Sequence, residues 1–480
     1  MILKLVRKIK GSTIGGIFLV VFGNMALLFS KMLVWLLAPR LLGVTDYGYY
    51  KMFTLYLVYA MLFHFGFPDG VLLLHAGQKY EDLDKTKLRR TSRFFILFQI
   101  LVFLTIAGMA FCFLGGMERY IFCMIGIDAF FINVSTYYKF ISQAVMRFRE
   151  LTVRNVMQAV MQVTSLLVIM ILSNWKAELA NGYVYIFSVI LVDAALMVYY
   201  VVTYRDITFG KAVSLRSQKA DIRRYFSAGI LLTAAFQVSH FVFVLDSQMV
   251  EILFNIEIYS LYAFSYSITG MISLVINAIS TVMLPSLKRL EERNAVSKFS
   301  DIMAMISIVV FFLTAAYYPL VWFINWYLPD YAGALEYLKI ILPGVAVSSC
   351  INLIIFTYYK VLNQLKYYFV ISTIMLLTGM VLNYTGYYFF HTPKAFSVAS
   401  IFTLLLWYLS AERYFVKKFQ VKWVKNFLYI CVEIVFFYFV NVWLEKEWEA
   451  LLFYLCGCAV ITLLFYGGKV KNKMDKAKSG

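Results

Sequence analysis

The chain contains fourteen apolar runs, each close to the length needed to cross a bilayer, separated by short polar connections. They cover residues 12–37, 52–74, 94–115, 120–142, 156–173, 183–203, 226–250, 259–284, 302–326, 338–359, 367–390, 395–415, 427–443 and 450–467. A hydrocarbon layer of roughly 30 Å is crossed by about 20 apolar residues in helical form. A segment exposed to lipid must satisfy its own backbone hydrogen bonds, and these runs lack the short alternating pattern of barrel strands. The expected fold is therefore all-α and integral to a membrane. With 62% hydrophobic and only 15% charged residues, the chain carries more apolar surface than a soluble core uses.

Lys and Arg test the span assignment independently, because they are retained on the cytoplasmic side of membrane spans. They crowd into every second connection. Lys79, Lys85, Lys87, Arg89, Arg90 and Arg93 lie between the second and third runs, whereas Arg119 stands alone between the third and fourth. The pattern predicts a cytoplasmic membrane protein with both termini in the cytoplasm. Residues 1–10, with Lys4, Arg7, Lys8 and Lys10, precede a run too long for a signal peptide and read as the lead-in to an uncleaved first helix. The net charge of +18 then reflects topology and attraction to anionic headgroups. No phosphate loop or base-stacking platform suggests a nucleic-acid partner. Cys112, Cys123, Cys350, Cys431, Cys456 and Cys458 fall inside or beside apolar runs without ligand-like companions, which favours packing over metal or cofactor binding.

No connection is long enough for a soluble domain. The basic segment 205–225 divides the first twelve runs into an amino-terminal lobe, 1–204, and a carboxy-terminal lobe, 226–415. The last two runs, 416–467, are appended, and a Lys-rich tail, 468–480, is expected to be disordered. Displacing the sequence so that Tyr50 falls on Tyr259 brings Lys31 onto His240, a faint echo of the repeated halves of transporters.

Particular residues go beyond pattern. Pro39-Arg40-Leu41-Leu42-Gly43-Val44-Thr45-Asp46-Tyr47-Gly48 is followed by an apolar span and then Phe65-Gly66-Phe67-Pro68-Asp69-Gly70. Further on come Gln143-Ala144-Val145-Met146-Arg147-Phe148-Arg149, Ile258-Tyr259-Ser260, Met283-Leu284-Pro285, Pro329-Asp330-Tyr331-Ala332 and Leu362-Asn363-Gln364-Leu365-Lys366. In order and spacing, over roughly residues 12–415, this resembles polysaccharide exporters of the Wzx type. These belong to the multidrug/oligosaccharidyl-lipid/polysaccharide (MOP) superfamily. The chain departs from that pattern at Glu257-Ile258-Tyr259, where Gly often precedes the Tyr, and at Asp246-Ser247-Gln248, where a basic residue often follows the Asp.

The resemblance implies a MATE-like bundle of six plus six helices with two further carboxy-terminal helices, opening a central cavity alternately to either side. The implied cargo is a polyprenyl-diphosphate-linked oligosaccharide repeat unit for capsule, O-antigen or a related polysaccharide. Other implied partners are membrane lipids, a polysaccharide polymerase and glycosyltransferases. No covalent chemistry is implied, and movement would be coupled to an ion gradient. A multidrug or cation antiporter and a peptidoglycan lipid-precursor flippase are rivals within the superfamily. A glycan polymerase or glycosyltransferase is the enzymatic rival, but it would usually carry a sizeable loop or catalytic domain that this sequence lacks.

Carrying a pyrophosphate through a low-dielectric layer demands a compensating cation. Lys31, inside the first run, is the expected one, and Asn24 lies two turns earlier on the same face. His240 is the expected counterpart in the second half. Asp193 and Asp128, inside the sixth and fourth runs, are the candidates for ion or proton coupling, with a structural Asp193–Lys31 pair as the alternative. Asp69, Asp246 and Glu433 are expected to be structural, Arg40 and Arg119 to face the outside, and Pro68, Pro285, Pro319 and Pro343 to mark bends.

Overall fold

The computed structural model describes residues 13–288 and 296–478, with side chains over 19–60, 62–214, 218–272 and 296–468. The basic lead-in 1–10 lies outside the described residues. No strand occurs among the residues described. Among the described residues, twelve helices are long and apolar enough to cross a membrane. The first of these carries two expected spans across a break at Gly43, and the helix Ile256–Lys288 supplies the expected eighth, so the expectation of about fourteen crossings fits. The protein is an all-α, multi-pass membrane protein.

The chain forms two compact units, Met1–Gln237 and Val238–Gly480. In the first, α1 (Thr13–Ala60) leads through a short 3₁₀ turn into α2 (Phe67–His75). Then follow α3 (Lys85–Phe113), α4 (Gly116–Ala144), α5 (Phe148–Ser173) and α6 (Gly182–Thr203). Helix α7 (Leu215–Leu253) begins in the first unit and ends in the second. The expected loop 205–225 is therefore largely helical, and the division falls inside α7 rather than between helices. Its amino-terminal half belongs to the first unit because its backbone seats directly on the α2 region. A Cβ added to Gly70 would lie 1.8 Å from the Tyr225 carbonyl oxygen, and one added to Gly229 would lie 1.9 Å from that of Gly66.

The second unit continues with α8 (Ile256–Lys288), α9 (Phe299–Thr314), α10 (Tyr317–Tyr327) and α11 (Ala334–Ile341). A composite helix through Val361 contains a π-helical stretch, Cys350–Ile355. It is followed by α12 (Leu365–Phe390), α13 (Pro393–Phe419), α14 (Val424–Trp443) and α15 (Glu447–Lys478). The ninth expected span divides between Thr314 and Tyr317, at the carbonyl four residues before Pro319, where a proline ring clashes with a continuing helix. Pro343 sits in the break between α11 and Gly344. The Lys-rich tail, expected to be disordered, extends α15 as helix to Lys478.

Polar caps set several helix starts. Asp84 accepts from the backbone N–H groups of Thr86 and Lys87 at 3.0 and 3.1 Å, and Asn181 accepts from that of Val184 at 2.9 Å. Arg119, in the connection expected to face the outside, donates from Nε to the Leu114 carbonyl at 2.7 Å and satisfies the end of α3. The connection after α6 is held by side chains of α3. Arg89 donates to the carbonyls of Asp206 and Lys211 at 2.7 and 2.9 Å, and Arg90 to that of Val213 at 2.6 Å. Asp206 receives Tyr80 Oη at 2.6 Å and Lys85 Nζ at 2.8 Å. Burial alone would raise this carboxyl, but the hydrogen bonds from Lys85 and Tyr80 outweigh it and hold Asp206 below the usual carboxylate range.

Candidate functional site

The polar interior of the first unit is built where α1 packs along α5. Gly23 permits the approach, since a Cβ there would lie 3.2 Å from Thr152 Cα. Small residues at such contacts let membrane helices come close. Asn155 Nδ2 donates to Asn24 Oδ1 at 3.0 Å, and one helical segment further along Ser30 Oγ donates to Gln162 Oε1 at 3.2 Å. Residue numbers rise together on both helices, so α1 and α5 run parallel. That agrees with their being odd-numbered spans entering from one side. Helices α3 and α4 run antiparallel by the same test, through Ser92 with Tyr137 at 3.0 Å and Gln99 with Asn133 at 2.8 Å.

Arg154 lies on α5 in this polar seam. Its Nη1 donates to Gln158 Oε1 at 2.7 Å and Asn155 Oδ1 at 3.2 Å, while its Nε is buried without a hydrogen-bond partner. Lys31 on α1 is solvent-accessible and makes no hydrogen bond or ion pair with a described residue. Arg154 acts on it electrostatically. Lys139, on the last turns of α4, interacts in the same way with both Arg154 and Lys31.

The fourth cation arrives through the break in α1. A straight helix would hold Lys51 about 30 Å from Lys31. Gly43, with φ 68° and ψ 178°, turns the chain, and Lys31 acts electrostatically on Lys51. The positive φ is open to glycine at little cost. Lys51 Nζ also stands 5.6 and 5.8 Å from the ring centroids of Tyr47 and Tyr50, within cation–π range.

Two acids share this interior. Asp193 on α6 interacts with Arg154, and Asp128 on α4 interacts with Asp193. Asp128 is fully buried, and neither carboxylate oxygen has a hydrogen-bond partner. None of the ion pairs formed by described residues joins these groups. The expected Asp193–Lys31 pair is thus absent, and Arg154 is the cation that acts on Asp193. Helices α1, α4, α5 and α6 therefore assemble four cations and two carboxylates, with Arg154 and Asp193 in attraction but no contact-distance ion pair among the six. Such a cluster is suited to a multiply charged anion that supplies the missing partner.

His240 stands apart from this cluster in the sequence of units, on the second-unit part of α7. It borders a cavity of about 280 Å³ with Phe243, Tyr266, Ser348, Ser349 and Asn352. The neighbouring carboxylate of Asp246 is saturated: Ser247 N–H donates at 2.8 Å, Tyr262 Oη at 2.9 Å, and Tyr266 Oη through a short contact. Asp69 accepts from Thr233 Oγ1 at 2.7 Å, and Glu433 Oε2 is 3.0 Å from Cys458 Sγ. These acids hold helices together. Among the described residues no three His, Cys, Asp or Glu side chains gather as a metal site requires.

Sequence reasoning finds Lys31, Asn24, Asp193 and Asp128 but misses Lys51, Lys139 and Arg154, which read as charges of the connections. A signal is available in Arg154, Gln158 and Gln162, which repeat every four residues and mark one polar face of an otherwise apolar helix.

Residues 15–291 match the model of a family described as polysaccharide biosynthesis protein. No curated protein sequence matches the chain. Among solved structures, the fold is similar to lipid II flippase MurJ in an inward closed conformation, with a TM-score of 0.68 at 14% identity, covering 96% of this chain and 100% of that one. It is also similar to an inward-facing multidrug resistance MATE family transporter of the MOP superfamily, at 0.57 and 12%, covering 87% and 94%. A point mutant of the Vibrio cholerae MATE transporter VcmN matches at 0.54 and 12%, covering 86% and 98%. The chain belongs to the polysaccharide biosynthesis protein family, and its fold is that of these membrane transporters.

Proposed function

We propose that this protein moves polyprenyl-diphosphate-linked oligosaccharide repeat units across the cytoplasmic membrane, for assembly of capsule, O-antigen or a related polysaccharide. The observation that carries the reading is the un-neutralised set Lys31, Lys51, Lys139 and Arg154 inside the first unit. A diphosphate crossing the bilayer loses its hydration, and each charge costs a few kcal/mol or more. Several cations held by helix packing offset that loss without first breaking ion pairs. Asn24 and Asn155 add neutral hydrogen-bonding groups beside them, and His240 is the candidate polar group of the second unit's own cavity. The protein works by alternating access, with both termini cytoplasmic.

Asp128 and Asp193 would carry the coupling ion. A buried carboxylate without a partner needs a proton or a small cation to offset its charge, and Asp128 has neither oxygen paired. Loading it changes the charge balance felt by Arg154 through Asp193. That links ion binding to affinity for the anionic cargo.

A peptidoglycan lipid-precursor flippase is the second reading, favoured by the fold similarity to MurJ. The same cations would serve its diphosphate. The two readings separate in a strain lacking its own repeat-unit flippase. Restored surface polysaccharide on expression supports the first, and rescue only of peptidoglycan precursor export supports the second. In the restored strain, Lys31→Ala is expected to lower surface polysaccharide at least tenfold at unchanged membrane abundance. Wild-type export by that variant would remove Lys31 from the mechanism.

A further inference from the structure

Two cavities meet at the connection between α13 and α14, outside the cationic cluster, and share Gln420, Val421, Lys422 and Lys425. One, of about 870 Å³, is walled mainly by apolar side chains, among them Trp423, Leu428, Leu464 and Phe465. The other, of about 1110 Å³, is lined by Lys418, Lys422 and Lys425, with Asp301 the one acid among its described lining residues. A basic pocket thus opens directly into an apolar groove.

The connection is firmly held. Gln420 closes α13 in the left-handed region, at φ 55°, with its N–H on the Val416 carbonyl at 3.0 Å. Ser300 Oγ donates to the Lys422 carbonyl at 3.1 Å, and Asn426 Nδ2 donates to the Ser300 carbonyl at 2.9 Å. Tyr466 Oη then donates to Asn426 Oδ1 at 2.8 Å. This chain of bonds ties the connection to α9 and α15. The lysine stems are also placed: Lys425 Nζ is 5.3 Å from the Tyr466 ring centroid and Lys418 Nζ is 4.9 Å from that of Phe419.

We propose that this groove binds an anionic glycerophospholipid, with its phosphodiester on Lys418, Lys422 and Lys425 and an acyl chain along Trp423, Leu428, Leu464 and Phe465. Charge and shape together select this occupant. A soluble phosphate would leave the apolar wall wet, and a zwitterionic lipid would bring its own cation against three lysines. Basic residues near a membrane surface gain from anionic lipid, and a Trp at the mouth fits the headgroup level. The proposal rests on the membrane-spanning fold and not on the identity of the transported cargo.

Native mass spectrometry of the purified full chain tests it, by titration with phosphatidylglycerol and phosphatidylcholine of matched acyl chains. Phosphatidylglycerol should be retained preferentially. The K418Q/K422Q/K425Q variant should lose that preference by at least tenfold, and arginines at the same positions should restore it. Soluble glycerophosphoglycerol should fail to displace the bound lipid. Equal retention of both lipids by the wild type, undiminished preference in the glutamine variant, or displacement by the soluble headgroup would each overturn the proposal. Should the triple variant not fold, K422Q and K425Q singly carry the same comparison. Lipid retention is read without transport, so failure here is separable from failure of the flippase reading.

Discussion

The interiors of the two units differ in the cations they gather. In the first, Lys31, Lys51, Lys139 and Arg154 face one another's fields, and Asp128 is buried with both oxygens unpaired. In the second, Asp246 is surrounded by donors beside a cavity bordered by His240, hydroxyls and an amide, and Glu412 is buried with both oxygens unpaired but with no described cation acting on it. A saturated carboxylate fixes helices in place. A cluster of cations can take an anionic partner, so we propose the first unit as the place where the cargo's charge and the coupling ion are bound.

The largest contrast between the units concerns backbone packing. Gly70→Val places a side chain against the Tyr225 carbonyl, and a backbone cannot yield as a side-chain tip does. We expect a loss of order 3 kcal/mol and little folded protein by fluorescence-detected size exclusion. Gly270→Ala in the second unit, with nothing within 4 Å of the added carbon, should behave as wild type. Comparable folding of the two variants would break the close-contact account of α7.

The next effect is on transport. Arg154→Gln should lower cargo movement by about a hundredfold, the worth of roughly 2.7 kcal/mol of lost charge-assisted contact, with abundance preserved. Asn352→Ala in the second cavity should cost less than about threefold. If Asn352→Ala were the more damaging, the charge asymmetry would not be the basis of recognition. Asp193→Asn comes third, measured as the dependence of transport on pH and sodium. That dependence should flatten in the variant, and an unchanged one would remove Asp193 from coupling.

The smallest effect lies outside the membrane. Asp206 is held below the usual carboxylate range in the fold. Its contribution is therefore present above the unfolded value near 3.9 and is lost as pH falls through the folded one. Because both partners are partly exposed, the bridge to Lys85 is worth only about 0.5 kcal/mol. Asp206→Asn should lower thermal stability slightly at pH 7, and the difference from wild type should narrow in acid. A constant difference across that range would mean that the bond to Tyr80, not the charge, matters.

Apolar runs made most of the architecture legible, because bilayer thickness and backbone hydrogen bonding leave a helix few alternatives. Connections were harder. Residues 38–51 read as an external loop, yet the helix continues on both sides of Gly43, since only one residue needs to leave helical geometry for the chain to turn. The same connection hid Lys51. Lys139 and Arg154 were hidden by a rule that is correct on average. Lysines and arginines near span ends are mostly topological, and only the α1–α5 register, through Asn24 with Asn155 and Ser30 with Gln162, reveals that Arg154 faces inward. Asp193 stood out in the sequence because it has no charged neighbour, but its electrostatic partner lies on another helix and required the fold.

We propose that the first unit's cations carry a diphosphate through the membrane. The most direct test is translocation of a fluorescent polyprenyl-diphosphate-linked oligosaccharide in vesicles holding purified protein, wild type beside the Lys31→Ala/Arg154→Gln double variant. Rapid movement by the wild type, with none above protein-free vesicles for an equally well incorporated variant, is the expected result. Equal rates for the two proteins, or no movement by the wild type, would contradict it.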